Sequence, residues 1–111
     1  MMETKIFPKI RAEDGTVTGG GRSASMKTVF TDTGLIIKTG TIVLDNKSAT
    51  VLTLSPPFPN ACVSVQASCG QVGFAAISAV SAAPNNSSSI NAFQMNQANV
   101  GMNVTFVAIG Y

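Results

Sequence analysis

Histidine and tryptophan are absent from this 111-residue chain, and residues 48–111 contain no Asp, Glu, Lys or Arg either. A typical globular chain is about a quarter charged, so the second half lacks the groups that most catalysis needs. Acid–base pairs, carboxylate metal ligands and phosphate clamps can come only from residues 1–47, which hold all seven Lys/Arg and all five Asp/Glu. Without His or a packed Ser-x-x-Lys arrangement, no Ser or Thr hydroxyl has a base to activate it. A structural zinc site lacks its ligands as well. The composition reads against an enzyme and against a bound cofactor or metal.

Three further absences narrow the class. There is no basic stripe to neutralise phosphates, which excludes nucleic acid as a partner. There is no apolar run near the ~20 residues of a membrane span, and the charged opening Met1-Met2-Glu3-Thr4-Lys5 is not a signal peptide. The two cysteines, Cys62 and Cys69, do not form a CxxC pair. If the residues between them are one strand, their backbones lie roughly 20 Å apart at about 3.3 Å per residue. A disulfide needs Cα atoms within about 7 Å, so two thiols are expected.

What is present divides the chain in two. Residues 1–33 are charged and rich in Thr and Gly, and Gly19-Gly20-Gly21 has no apolar periodicity around it, which reads as an extended N-terminal arm or linker. Gly19-Gly20-Gly21-Arg22-Ser23 lacks the Gly-Lys-Ser/Thr ending and flanking elements of a phosphate loop. Glu13 and Asp14, side by side in such an arm, cannot hold the fixed separation that a glycosidase pair requires.

From Gly34 onward the signals are those of strands. Residues 41–44 and 49–54 flank the polar Asp45-Asn46-Lys47 and suggest a hairpin. Pro56, Pro57 and Pro59 force an extended loop. Cys62–Ser68 alternates, with Val63, Val65 and Ala67 on one face. Residues 72–80 are apolar on both faces, and residues 89–95 and 103–109 read as two more strands. Pro84–Ser89 reads as a loop. Six or seven short strands without helices indicate an all-β fold, a small antiparallel β-sandwich spanning 34–111.

Three segments in order carry a resemblance: Gly34-Leu35-Ile36-Ile37-Lys38-Thr39-Gly40, then Ser55-Pro56-Pro57-Phe58-Pro59-Asn60-Ala61-Cys62, and finally Phe106-Val107-Ala108-Ile109-Gly110-Tyr111. Together they resemble the C-terminal domain of bacteriophage tail-fibre proteins of the gp53-like type. Thr39 and Val107 stand where that family has tryptophan, so any stacking by those rings is lost. The resemblance implies a homotrimeric β-knob in the virion, at a fibre tip that touches bacterial surface polysaccharide or an outer-membrane protein. Residues 1–33 would then attach it to other virion proteins. The competing expectation is a decoration, collar or baseplate piece without receptor binding of its own.

Neutral polar side chains can meet sugar hydroxyls without the cost of desolvating charge. On that ground Asn85, Asn86, Ser87, Ser88 and Ser89, with Asn96, Gln97 and Asn99, are the candidate receptor contacts. The bland alternative is a solvated turn, since Asn and Ser favour turns by bonding their own backbone. Phe74 and Phe93 read as core. The two-sided apolar segment supplies the candidate oligomer interface: Val72, Phe74, Ala75, Ile77 and Ala79.

Overall fold

Period-two alternation of inward and outward side chains builds eight antiparallel strands in the computed structural model, which describes residues 11–44, 50–69, 80–94 and 102–111. They are β1 (Arg11–Gly19), β2 (Arg22–Phe30), β3 (Ile36–Leu44), β4 (Thr50–Ser55), β5 (Cys62–Cys69), β6 (Val80–Asn86), β7 (Ser89–Gln94) and β8 (Met102–Gly110). All belong to one sheet in the order β5-β8-β3-β2-β1-β4-β7-β6. Its edge strands β5 and β6 lie alongside each other, so the sheet curls into a nearly closed barrel. Among the described residues no ladder joins those two edges.

The last strand shows why the barrel forms. Met102, Val104, Phe106 and Ala108 are fully buried, while Asn103, Thr105, Val107 and Ile109 between them face outward. β3 runs beside it in continuous register from Ile36↔Gly110 to Leu44↔Met102 and turns Ile36, Ile42 and Leu44 inward. Leu52, Leu54, Ile90 and Ala92 of β4 and β7 meet them from the far wall, joined by Val17 and Met26 of the first hairpin. Among the described residues this interior is apolar except for the buried Thr28, Lys38 and Ser89.

The all-β antiparallel expectation holds: six of the eight described strands, β3 to β8, fall within 34–111, two more precede them, and both layers are supplied by one curled sheet. Several local readings differ from what folds. Residues 11–30 are β1 and β2, paired from Arg11↔Phe30 to Gly19↔Arg22, with Val17, Met26 and Thr28 buried. The expected arm over 1–33 therefore does not describe this stretch; residues 1–10 lie outside the described residues. Gly20 and Gly21 are the whole turn, at φ 59° and 75°. Positive φ at both central positions is the two-residue hairpin geometry that glycine adopts without steric cost, so the run taken for a flexible linker is a tight corner.

β3 and β4 are not a hairpin either. β3 pairs with β2 and β8, and β4 pairs with β1 and β7. In β5 the register slips between Cys62 and Ser64. That irregularity turns Val63 outward (60% exposed) while Val65 and Ala67 keep the inner face, because an extra residue reverses strand parity. Pro84 sits inside β6 and not in a loop, tolerated because β6 is an edge strand that need not donate there. Cys62 and Cys69 are joined by no disulfide, at opposite ends of β5.

Candidate functional site at the Tyr111 end

Strand directions sort the connections to two ends of the barrel. β2 stops at Phe30, β3 starts at Ile36, β4 stops at Ser55, β5 starts at Cys62, β6 turns into β7 after Asn86, and β8 stops at Gly110. The antiparallel registers put all of these at one end. The three segments that carried the family resemblance, far apart in sequence, thus converge there.

Their contacts are specific. The Phe58 ring is buried at this end, with the Lys38 ammonium 5.2 Å from its centroid, within cation–π range. A Cβ on Gly110 would stand 2.7 Å from the Phe58 ring and 2.1 Å from the Ala61 carbonyl oxygen. Three main-chain bonds then fasten the strand end to the proline loop: Tyr111 N–H to Ala61 O at 3.0 Å, and Asn60 N–H and Ala61 N–H to Tyr111 O at 2.8 and 2.9 Å.

Across from this clamp the 31–35 turn is tied by Thr31. Its N–H and Oγ1 both donate to Leu35 O, at 3.0 and 2.7 Å, and its Oγ1 lies 3.1 Å from Thr33 Oγ1. Between the two fastened walls lies an open groove of about 620 Å³, lined by residues 33–36, Pro59, Asn60 and Tyr111. Tyr111 is 52% exposed and Leu35 41%. Asp, Glu, Lys and Arg are absent from the lining.

The Asn/Ser turn lies at the same end, and several of its polar groups bond one another. Asn86 Oδ1 accepts from Ser88 N–H, Ser88 Oγ and Ser89 Oγ, each at 2.9 Å. Asn85 Nδ2 donates to Ser89 Oγ at 2.8 Å. Leu54 N–H donates to Ser88 O and Phe58 N–H to Ser87 O, both at 2.8 Å, so the turn is also seated on the proline loop. Ser89 is buried, while Asn85 and Asn86 are exposed. Asn96, Gln97 and Asn99 lie outside the described residues. Val72, Phe74, Ala75, Ile77 and Ala79 also lie outside them.

Lys38 is the residue that sequence reasoning passed over. It is 1% exposed, and its Nζ donates to the buried Thr28 Oγ1 at 2.9 Å. Burial pulls its pKa below the ordinary 10.5, offset in part by the charge of the exposed Glu13, which lies opposite Thr28 on β1. The available signal was parity: Lys38 is two residues after Ile36 and four before Ile42 on one strand face.

A pair of substitutions tests this reading. Lys38→Met drops the charge and keeps the volume, so stability at pH 7 should change by less than about 2 kcal/mol or rise. Thr28→Val strands the amine and should cost about 1–3 kcal/mol. Because the folded state releases the Lys38 proton more readily than the unfolded chain, its contribution is complete above pH 10.5 and is lost as pH falls through the lowered folded value. Burial pushes the Cys62 thiol up, which has the opposite pH dependence. The sign is therefore read from the difference between wild type and Lys38→Met in urea titrations at pH 7 and 10. That difference should move in favour of wild type as pH rises.

The family model for the C-terminal region of gp53-like tail fibre proteins matches residues 30–111. Among solved structures, an N-truncated R2-type pyocin tail fibre is similar at TM-score 0.61 and 17% identity, over 86% of this chain and 37% of that one. The C-terminal part of a P. aeruginosa R2 pyocin fibre is similar at TM-score 0.61 and 17% identity, over 86% and 26%. An N-truncated R1-type pyocin tail fibre gives TM-score 0.57 and 22% identity, over 86% and 85%. The chain thus spans well under half of the R2 fibres it matches. No curated protein matches it.

Proposed function

Since residues 30–111 make it a member of the gp53-like tail-fibre family, C-terminal region, we propose that this chain forms the receptor-contacting knob of a tail fibre, working by adhesion and not catalysis. The observation that carries the reading is the convergence of the three family segments. They build one end of the barrel, and that end holds a groove lined by no charged side chain, with an exposed tyrosine in its wall. The knob binds neutral polysaccharide on the bacterial surface, with Asn85 and Asn86 at the margin of the same end.

The knob works as a homotrimer. Strands β4 to β8 carry no ionisable side chain other than the two cysteines of β5, and their exposed surface includes Val51, Val63 and Val107. Surfaces so poor in charge tend to associate. Val72, Phe74, Ala75, Ile77 and Ala79 are the further contacts expected from sequence.

A second observation bears on attachment. β1 and nearly all of β2 precede the matched region, and they carry Arg11, Glu13, Asp14, Arg22 and Lys27. Arg11 pairs with Glu13 at 3.6 Å and stacks over Phe30 at 4.4 Å, and Lys27 pairs with Asp14. This charged flank supports docking to other virion proteins, the role expected of residues 1–33. Immunogold labelling of particles separates the readings: gold at the distal end of the fibres supports the knob. Gold confined to the collar, baseplate or shell would instead make the chain a structural component.

A further inference from the structure

The groove at the Tyr111 end differs in kind from the Asn/Ser turn beside it. In the turn, Asn86 Oδ1 already accepts three hydrogen bonds and Asn85 donates to Ser89, so its Ser88 and Ser89 hydroxyls and the Asn86 oxygen are engaged within the turn. In the groove, the main chain of Leu35, Asn60 and Tyr111 helps fasten the walls, while the side chains of Thr33, Leu35, Pro59, Asn60 and Tyr111 remain exposed. Tyr111 N–H and C=O are committed to Ala61 and Asn60, and the Leu35 carbonyl to Thr31. Asn60, Thr33 and the tyrosine side chain remain toward solvent.

We infer that this groove is a binding site for a neutral saccharide, with the Tyr111 side chain as its stacking platform and Asn60 as its principal polar contact. The inference rests on the fibre-knob reading and names where on the knob recognition occurs. A pyranose ring has a C–H face that packs on an aromatic or aliphatic surface and a rim of hydroxyls that both donate and accept. Tyr111, Leu35 and Pro59 match the face. The Asn60 amide, with one acceptor oxygen and two donors, matches the rim, and the Thr33 hydroxyl, whose proton goes to Thr31 Oγ1, adds an acceptor.

Charge selects the neutral class. The lining has no Lys or Arg to pair with a sulfate, phosphate or carboxylate, and Asp32, adjacent in sequence to Thr33, repels an anion. A volume of about 620 Å³ is that of an ordinary small-ligand site, and an open groove suits a polymer that passes through it. Both walls are hydrogen-bonded in place, so little ordering entropy opposes binding.

The test uses the purified full chain, fluorescently labelled, on an array of neutral and anionic bacterial polysaccharides, alongside Tyr111→Ala, Tyr111→Phe and Asn60→Ala. Tyr111→Ala keeps the main-chain clamp, and a melting curve checks that it does. Signal should appear on neutral glycans, fall about tenfold in Tyr111→Ala, fall in Asn60→Ala, and persist in Tyr111→Phe. The inference is overturned if no neutral glycan is bound, if Tyr111→Ala binds as well as wild type, or if signal is confined to anionic glycans. A wild-type dimer that Tyr111→Ala abolishes in sedimentation, with glycan signal unchanged, would make the groove a self-association surface and overturn it too. Cell binding measured in parallel separates the two levels. Cells bound equally by wild type and Tyr111→Ala refute the groove and keep the knob. Array binding through Tyr111 without cell binding supports the groove and refutes the knob.

Discussion

Replacing Gly110 by alanine is expected to cost about 3 kcal/mol and to lower the melting temperature by about 10 °C or more. The new Cβ would meet the Ala61 carbonyl oxygen at 2.1 Å and the Phe58 ring at 2.7 Å. The first contact is with backbone, so no rotamer change relieves it. Either β8 or the proline loop must move, and both are held by the bonds between Tyr111, Asn60 and Ala61. Loss of one groove wall should accompany the loss of stability. Thermal denaturation followed by circular dichroism reads the first effect, and amide exchange at Asn60, Ala61 and Tyr111 reads the second. A variant as stable as wild type would mean that this end is looser than described.

Phe58→Ala should be at least as damaging, at about 3–5 kcal/mol. The ring is 1% exposed although it comes from a loop and not a strand, so it works as a plug on the Tyr111 end. Its removal leaves a cavity next to Gly110 and takes away the surface that shields the Lys38 ammonium. Water reaching that amine would relieve the burial that lowers its pKa. The Lys38-dependent rise in stability between neutral and alkaline pH should therefore shrink in Phe58→Ala, measured again as a difference between curves with and without Lys38→Met. Phe58→Leu, which refills part of the space, should recover part of both effects.

Much of the fold could be read in the sequence where alternation was strong and local. Val104, Phe106 and Ala108 against Asn103, Thr105 and Val107 leave little doubt about the last strand, and the three prolines around Phe58 mark a loop. β1 was missed because the face that carries the buried Val17 otherwise holds Gly15, Gly19 and the exposed Glu13. Only one of them is a large apolar residue, too few to register as a core face. The same small residues allow close approach: a Cβ on Gly15 would meet Ser55 O at 2.4 Å, and one on Gly19 would meet Val51 O at 2.5 Å. A strand that packs by lacking side chains gives no hydrophobic pattern. The false hairpin between residues 41–44 and 49–54 has another cause, since neighbours in sequence were assumed to pair while β3 found β8 and β4 found β1 and β7.

The candidate site was less legible for a related reason. Asn85–Ser89 stood out by composition, but composition does not reveal that Asn86 and Ser88 satisfy one another. The groove is assembled from residues 33–36, 59–60 and 111, and no single one of these segments carries a binding motif. The family resemblance located all three without showing that they meet. What joined them was strand direction, which brings the start of β3, the start of β5 and the end of β8 to one place.

The most direct test of the central claim is binding of the labelled, purified chain to cells that adsorb the parent particle, compared by flow cytometry with an isogenic strain lacking surface polysaccharide. The account predicts strong staining of the first strain, near-background staining of the second, and unlabelled chain competing with particle adsorption. No staining of cells that still adsorb the intact particle would contradict it.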